Sequence, residues 1–357
     1  MSSRVLAINP GSTSTKIAVY DGEEERFIKN IKHPASEIAA FRTIASQFTF
    51  RKEIVLQELA AAGQETRSLD AIVGRGGLVK PIESGVYEVN DALLEDLRNP
   101  PMGEHASNLG GLIASDIARS LPGEVKAYIV DPVVVDELQD VARFSGHPAF
   151  QRASIFHALN QKAIARLHAR ETGRRYEEMN LVVAHLGGGV SVAAHRAGRV
   201  VDVNNALDGE GPFSPERSGT LPAGQLVDLC FSGTRTREEI RRFITGEGGL
   251  VAYLGTNDAY TVEKRALEDA RFKLVQDAMI YQVGKAIGEM SAVLKGRVDA
   301  ILLTGGIAYN PDLVEGVREM VSFVAPVAVY PGEDEMRALV TNILMARRGE
   351  LPVKVYK

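Results

Sequence analysis

The sequence predicts an α/β protein built from two like domains, and three observations lead there. The first is a strand–loop–strand unit that occurs once in each half. Val5-Leu6-Ala7-Ile8 runs into Asn9-Pro10-Gly11-Ser12-Thr13-Ser14-Thr15-Lys16, then into a second apolar run closed by a turn at Gly22. Leu181-Val182-Val183-Ala184 runs into His185-Leu186-Gly187-Gly188-Gly189-Val190-Ser191, then into a second run closed at Ala197-Gly198. A short glycine loop between two strands exposes backbone N–H groups that can hold phosphate. The second observation is that apolar runs alternate with helically spaced segments along the rest of the chain. The third is length, since 357 residues are enough for two domains that each own a core.

The elements follow in order. Residues 35–63 carry Ile38, Phe41, Ile44, Phe48, Ile54, Val55 and Leu59 in an amphipathic stretch, with a break expected near Thr49-Phe50. A buried strand over 70–73 ends in Gly74-Arg75-Gly76-Gly77, a short strand covers 86–89, and a helix covers 91–97. After a Pro-rich loop over 99–103 come a helix over 108–121 and a strand over 125–130 that ends at Asp131-Pro132. The second half repeats the plan: a helix over 156–172, the strand–loop–strand unit over 181–203, a Gly/Pro/Ser loop over 209–219, and short helices over 223–231 and 236–245. One long helical region is expected over 261–294, then a strand over 299–303 leading into Thr304-Gly305-Gly306-Ile307. A helix over 313–323, a strand over 327–330 and a final helix over 336–348 complete the reading. The boundary is placed at Gly146-His147-Pro148, giving domain I over 1–150 and domain II over 151–336, with 337–357 folding back to complete the first domain.

Composition narrows the function. With 45% hydrophobic and 24% charged residues the chain is an ordinary globular one. A net charge of −5 argues against nucleic-acid and membrane-surface partners. The single cysteine, Cys230, excludes an internal disulfide framework and a zinc–thiolate cluster. No apolar run approaches the ~20 residues that span a bilayer, and no leader precedes the first strand, so a cytoplasmic location is expected.

Several residues stand where chemistry is done. The 9–16 loop is not a Walker loop: Thr15 precedes Lys16, Ile17 follows it, and the loop leads into a strand rather than a helix. Four consecutive hydroxyl residues followed by Lys16 suit an anion better than a plain turn does. His185 with Gly187, Gly188 and Gly189 forms the second loop, for which a ligand-free tight turn is the plain alternative. Gly305-Gly306 after a strand is an arrangement in which α/β folds often seat a nucleotide, weak by itself and stronger as the third such element. Arg75, between two glycines at a strand end, and Arg217, within Phe213–Gly219, present guanidinium groups that fit carboxylate or phosphate. A surface arginine in a turn is the alternative for Arg75, and a local pair with Glu216 the alternative for Arg217. Asp131 ends a strand, where a catalytic or metal-organising carboxylate and a turn aspartate are equally common. His105 and His157 read as structural by themselves, and Glu333-Asp334-Glu335 as helix-dipole acids that can also approach Mg²⁺.

Taken together, these residues resemble the acetate and butyrate kinases of the acetate/sugar kinase–Hsp70–actin superfamily, nearly end to end. The 9–16 signature and His185-Leu186-Gly187-Gly188-Gly189 resemble the butyrate kinase branch, since acetate kinases have His-Leu-Gly-Asn-Gly at the second loop. The resemblance implies two duplicated ribonuclease H-like, actin-like domains with a nucleotide cleft between them. It also implies ATP/ADP and Mg²⁺ as cofactors, a short-chain fatty acid (butyrate or isobutyrate) as substrate, and a homodimer or higher homo-oligomer. By the same resemblance Asn9, Ser12, Ser14 and Lys16 form one phosphate loop and Gly187, Gly188 and Gly189 the other. Arg75 and Arg217 hold the acyl carboxylate and the phosphoryl group, and His157 and His185 donate to phosphoryl oxygens. Asn9, Asp131 and Glu335 stand on the metal side, with Asp334 as the alternative to Glu335. Gly305, Gly306 and Asn310 meet the adenosine, and Gly77, His105 and Phe156 lie by the substrate. Acetate kinases carry a branched residue where this chain has Gly77, so an absent side chain is expected to admit a longer acyl tail.

The implied reaction is reversible, direct in-line transfer, butyrate + ATP giving butyryl phosphate + ADP. A carboxylate with an ordinary pKa of about 4 is already a nucleophile at neutral pH, so no general base is needed. Kinases of isobutyrate, acetate or propionate are the near alternatives. An actin- or Hsp70-like ATPase switch is the distant one, and a sugar kinase using Asp208 as base would leave both arginines without a carboxylate.

Overall fold

The computed structural model describes residues 3–357. Its strands are β1 (Arg4–Pro10), β2 (Ser14–Asp21), β3 (Glu24–Lys32), β4 (Ala71–Arg75), β5 (Val86–Glu88), β6 (Lys126–Val130), β7 (Asn180–Leu186), β8 (Val190–Arg196), β9 (Arg199–Val203), β10 (Ala300–Gly305), β11 (Val327–Pro331) and β12 (Val353–Val355). They form a seven-stranded sheet, β12-β5-β6-β4-β1-β2-β3, and a five-stranded sheet, β11-β10-β7-β8-β9. The chain divides into two compact units: residues up to Val135 together with Asp334–Lys357, and Asp136–Glu333. The division falls before the Gly146-His147-Pro148 connection, because Gln139 N–H donates to Val201 O, 3.0 Å, and fastens this stretch to the second unit.

The duplication is visible in the pairing. In the first unit β3-β2-β1 is antiparallel and β1-β4-β6 parallel. In the second, β9-β8-β7 is antiparallel and β7-β10-β11 parallel. Each unit therefore runs a meander of three strands and then two parallel crossovers, which puts the first and fourth strands side by side at the sheet centre. The central strands read as continuous apolar runs because helices cover both faces. In the second unit Val182, Ala184, Ile301 and Leu303 pack with Val283 and Ile287 of the helix Ala270–Val293. On the other face Leu181, Val183 and Leu302 pack with Ala165 and Ala169 of the helix Ala158–Glu171. In the first unit Leu6, Ile8 and Ile72 pack with Val55 and Leu59 of the helix Phe48–Ala61 and with Ile113 of the helix Asn108–Ser120. That last helix starts so close to the end of β4 that a Cβ on Gly74 would lie 2.6 Å from Gly111 N, and glycines at 74 and 110 permit the approach.

Several elements differ from the sequence reading. The break expected at Thr49-Phe50 does not exist; the helix Phe48–Ala61 is continuous, and the irregular part lies before it at the turn Ala45–Gln47. The region 261–294 is two helices, Ala259–Ala266 and Ala270–Val293, separated where Asp269 accepts from Arg271 N and Phe272 N and caps the second. β3 has no apolar alternation because it is an edge strand, buried only at Ile31. β12 is three residues long and pairs parallel with β5, a contact no local pattern announces.

Candidate active site

The 9–16 loop is a tight link between β1 and β2, closed by Gly11 N–H donating to Ser14 O, 2.7 Å. Beneath it lies Arg51, fully buried on the inner face of its helix with Val55 and Leu59. Its guanidinium donates to Gly11 O (2.8 Å), Ser14 O (3.0 Å), Thr15 Oγ1 (3.1 Å) and Ser12 O (3.1 Å), while Nε donates to Gln47 Oε1, 2.9 Å. One buried cation thus collects the loop's carbonyls on its inner side. Ser12 is exposed, with Ser14 and Lys16 half-buried, at the loop's outer side. Thr15 also meets His33 Nε2 at 2.8 Å, and burial, with Arg51 close by, holds the His33 pKa below the ordinary imidazole value.

Parallel pairing sets the carboxyl ends of β1, β4 and β6 side by side, with Ile8 opposite Gly74 and Arg75 opposite Val130. Arg75 Nη1 reaches Glu335 Oε1 at 2.6 Å and Asn9 Oδ1 at 3.4 Å, and Asn9 Nδ2 donates to Glu335 Oε2. Glu335 begins the C-terminal helix Glu335–Arg347, whose cap is Asp334: its carboxylate accepts from Arg337 N, 3.0 Å. Asp334 is thereby occupied in capping, and Glu335 is the carboxylate that meets Asn9 and Arg75. Asp131 follows β6, is buried, and holds φ at +37°, a conformation uncommon outside glycine that aspartate adopts more readily than most residues. Its Oδ1 accepts from Gly85 N, 2.7 Å.

One substrate-side expectation meets a different geometry. A Cβ on Gly77 would stand 2.7 Å from Asn108 Cα, and the Asn108 side chain bonds Leu78 N at 2.7 Å. Glycine at 77 is therefore required by the close approach of Asn108, so its missing side chain is not open room for an acyl tail. His105 is exposed, and its Nδ1 is engaged by Ser107, 2.8 Å from Oγ and 3.2 Å from N. Phe156 is buried at 2% exposure, just before His157.

In the second unit the structure gathers His157, His185, the glycine loop and Arg217. His157 stands at the N-cap position of the helix Ala158–Glu171 and stacks on His185, ring centroids 3.8 Å apart and planes 10° from parallel. His185 Nδ1 donates to Asn160 Oδ1, 2.8 Å, and Nε2 lies 3.6 Å from Glu333 Oε2. A Cβ on Gly187 would come within 2.9 Å of His185 Nε2, so a side chain there would crowd that nitrogen. Arg217 lies over Gly189, where a Cβ would be 2.7 Å from Cζ, and Nη1 donates to Ala206 O, 2.5 Å. Burial lowers the Arg217 pKa, opposed by the Glu216 charge. Glu216 accepts instead from Asn257 Nδ2, 2.5 Å, so the local pair weighed for Arg217 is not a hydrogen-bonded one. Ser214 Oγ donates to Gly188 O, 2.7 Å, and ties the Arg217 loop to the glycine loop.

Gly305 ends β10 with φ at +91°, and a Cβ there would lie 2.7 Å from Leu186 C, so only glycine fits between the two strand ends. Gly306 opens a 3₁₀ turn, Gly306–Tyr309, rather than a helix; Asn310 then caps the helix Pro311–Val321, accepting from Leu313 N at 3.0 Å.

A model of the acetokinase family matches residues 149–327, which include His157, His185, the glycine loop, Arg217 and Gly305. A probable butyrate kinase of Bacteroides thetaiotaomicron is 56% identical over 355 residues, 99% of this chain and 100% of its own. The chain belongs to the acetokinase family. Butyrate kinase 2 of Clostridium acetobutylicum is 55% identical over 358 residues, covering 100% of both chains. Among solved structures, acetate kinase of Porphyromonas gingivalis superimposes with a TM-score of 0.74 at 19% identity, covering 97% of this chain and 99% of that one. Acetate kinase of Entamoeba histolytica gives 0.73 at 15% identity, over 98% and 100%. These likenesses show the fold, the duplicated actin-like α/β architecture.

In this acetokinase-family chain the sequence reading missed Arg51, Ser214, and the buried polar side chains behind His157. Arg51 left a signal: it stands four and eight residues before Val55 and Leu59, on what is otherwise an apolar helix face. Among the described residues no group of three His, Cys, Asp or Glu side chains gathers as a metal site, and no helix is long and apolar enough to cross a membrane.

Proposed function

We propose that the protein transfers the γ-phosphoryl group of ATP to the carboxylate of a short-chain fatty acid, butyrate in the first instance, and catalyses the reverse reaction. The observation that carries this reading is full-length identity of 52–56% to proteins named butyrate kinase or probable butyrate kinase. The site residues are consistent with it. Attack by a carboxylate needs no base; the difficulty is repulsion between two anions, which positioned positive charge and N–H donors relieve. In this reading Arg75 and Arg217 hold the carboxylate and the phosphoryl group in flight, and His157 and His185 donate to its oxygens. Each unit supplies one phosphate loop, Asn9 to Lys16 and Gly187 to Gly189, and Gly305, Gly306 and Asn310 lie toward the adenosine. The phosphoryl group passes directly, with no phosphoenzyme, so a chiral γ-phosphate should emerge inverted.

The oxygen-only set Asn9, Glu335 and Asp131 suits Mg²⁺, which prefers one or two carboxylates plus waters and nucleotide oxygens, and which would supply charge neutralisation at the phosphates. Homo-oligomer formation fits the exposed Leu274 and Tyr281 on the helix Ala270–Val293, whose other side is core.

The test is a hydroxylamine trap for acyl phosphate with ATP and Mg²⁺ over acetate, propionate, butyrate, isobutyrate and valerate. Hydroxamate peaking at four carbons is expected, and the ratio to isobutyrate reads branching preference. Acid-independent ATP hydrolysis with no hydroxamate would replace the kinase with an ATPase switch.

A further inference from the structure

Behind His157 runs an unbroken file of buried polar side chains. His157 Nδ1 lies 2.9 Å from Ser191 Oγ, and Gln161 Nε2 reaches Ser191 Oγ at 2.8 Å and Ser191 O at 3.0 Å. Gln161 Oε1 lies 3.0 Å from His195 Nε2, and His195 Nδ1 lies 2.7 Å from Tyr176 Oη. Ser191, Gln161 and His195 each have no exposed surface.

The direction of every bond in this file is fixed by what can accept. Ser191 O only accepts, so the amide nitrogen of Gln161 must face Ser191 and its oxygen must face His195. His195 therefore carries its hydrogen on Nε2, and Nδ1 accepts from the Tyr176 hydroxyl. A second proton on His195 is opposed by burial and by the charges of Lys162 and Arg166, which push its pKa well down. Ser191 Oγ receives the Gln161 N–H, and the His157 backbone N–H points to it weakly at 3.5 Å. Among its partners only His157 Nδ1 can accept the hydroxyl hydrogen.

We infer that Ser191, Gln161, His195 and Tyr176 form a directional hydrogen-bond file that holds His157 as the neutral Nε2–H tautomer. Ser191, Gln161 and His195 are then positioning residues. They make His157 a donor without a net charge, which rests on the reading above of His157 as a donor to the phosphoryl group. The stacked partner is held the opposite way. His185 Nδ1–H is committed to Asn160 Oδ1, and its Nε2 lies on the side of the Glu333 carboxylate. Two histidines in face contact thus hold Nδ1 in opposite roles set by different neighbours, acceptor at His157 and donor at His185, and a proton on one disfavours a second proton on the other at a centroid distance of 3.8 Å.

The experiment is nitrogen–carbon-bound-hydrogen correlation NMR on the full chain with ¹⁵N-labelled histidine at about pH 8, with His157 assigned by its loss in His157→Gln. Wild-type protein should show His157 with Nε2 protonated and Nδ1 not. Ser191→Ala should convert it to a mixture of tautomers, with kcat about tenfold lower, KM values within about twofold, and Ser191→Thr restoring both. A His157 that is Nδ1–H or imidazolium in the wild type, or unchanged in Ser191→Ala, overturns the inference. The wild-type spectrum decides this even if a variant fails to fold. A tautomer that shifts in Ser191→Ala while kcat stays unchanged supports the file and removes His157 from the phosphoryl donors instead.

Discussion

The two loops occupy the same place in the two copies of the fold, the link between the first and second strands of each sheet, but they are held by different means. The first is held from beneath by a charge: Arg51 is buried among four loop acceptors. The second is held by the absence of side chains. Gly189 makes room for Arg217, Gly187 keeps a side chain off His185 Nε2, and Gly305 passes under Leu186. The polar support of the second unit lies farther back, in the neutral file that ends at Ser191. Duplication preserved the topology, and the chemistry that shapes each loop diverged. A loop rich in hydroxyls needs its carbonyls drawn away from the anion side, whereas a glycine loop can simply bring its backbone close.

That contrast can be broken at either loop. The largest effect is expected at the arginines: Arg75→Ala and Arg217→Ala should each lower kcat by two or more powers of ten, on the scale of losing one preorganised oxyanion donor, measured as hydroxamate formed from butyrate. Next comes Gly189→Ala, whose methyl collides with the Arg217 guanidinium. About a tenfold or greater loss of kcat is expected with little change in the urea midpoint, while Gly188→Ala, with nothing within 4 Å of the added Cβ, should cost less. Equal losses in both would assign the loop's role to ligand contact along its whole backbone.

At the first loop, Arg51→Met should lower unfolding free energy by roughly 3 kcal/mol or more, since a buried acceptor left without its donor costs about 1–3 kcal/mol. A urea titration of this variant that matches wild type would show that the loop holds itself.

Acid should act in the same sense on both units. Burial is the main cause that lowers the pKa of His33, of His168 and, most strongly, of His195. The unfolded chain takes up these protons near pH 6.5 and the native one does not. Their contribution to stability is therefore complete above about pH 6.5 and falls as pH drops from there toward the folded values. Urea midpoints measured between about pH 8 and 5 should decline, and His195→Gln should flatten the decline.

The smallest effect is at Asn310→Ala, about 1 kcal/mol of stability from the lost helix cap. A rise in KM for ATP beyond the change in folding would place Asn310 at the nucleotide as well.

Much of this was legible in the residues. Asn9, Arg75, His185 and Gly305 announced themselves because each ends an apolar run at a polar or glycine break, and parallel strands bring such ends together. The pairing of Asn9 with Glu335 was not legible, since it joins residues 326 positions apart. Nor was the reason for Gly77: from the sequence its missing side chain looked like space for substrate, and only the packing shows Asn108 filling it. Arg51, Gln161 and His195 look like ordinary polar residues in a helix or strand, because periodicity reports which face a residue is on and not what it meets there. The sequence by itself determined the fold class, the duplicated plan and the residue types of the site, all of which rest on local pattern. The tertiary structure alone decided which carboxylate meets the first loop, which cation shapes it, and which tautomer faces outward at His157. Those depend on bonds between distant segments, whose directions follow from the full set of donors and acceptors around each buried group.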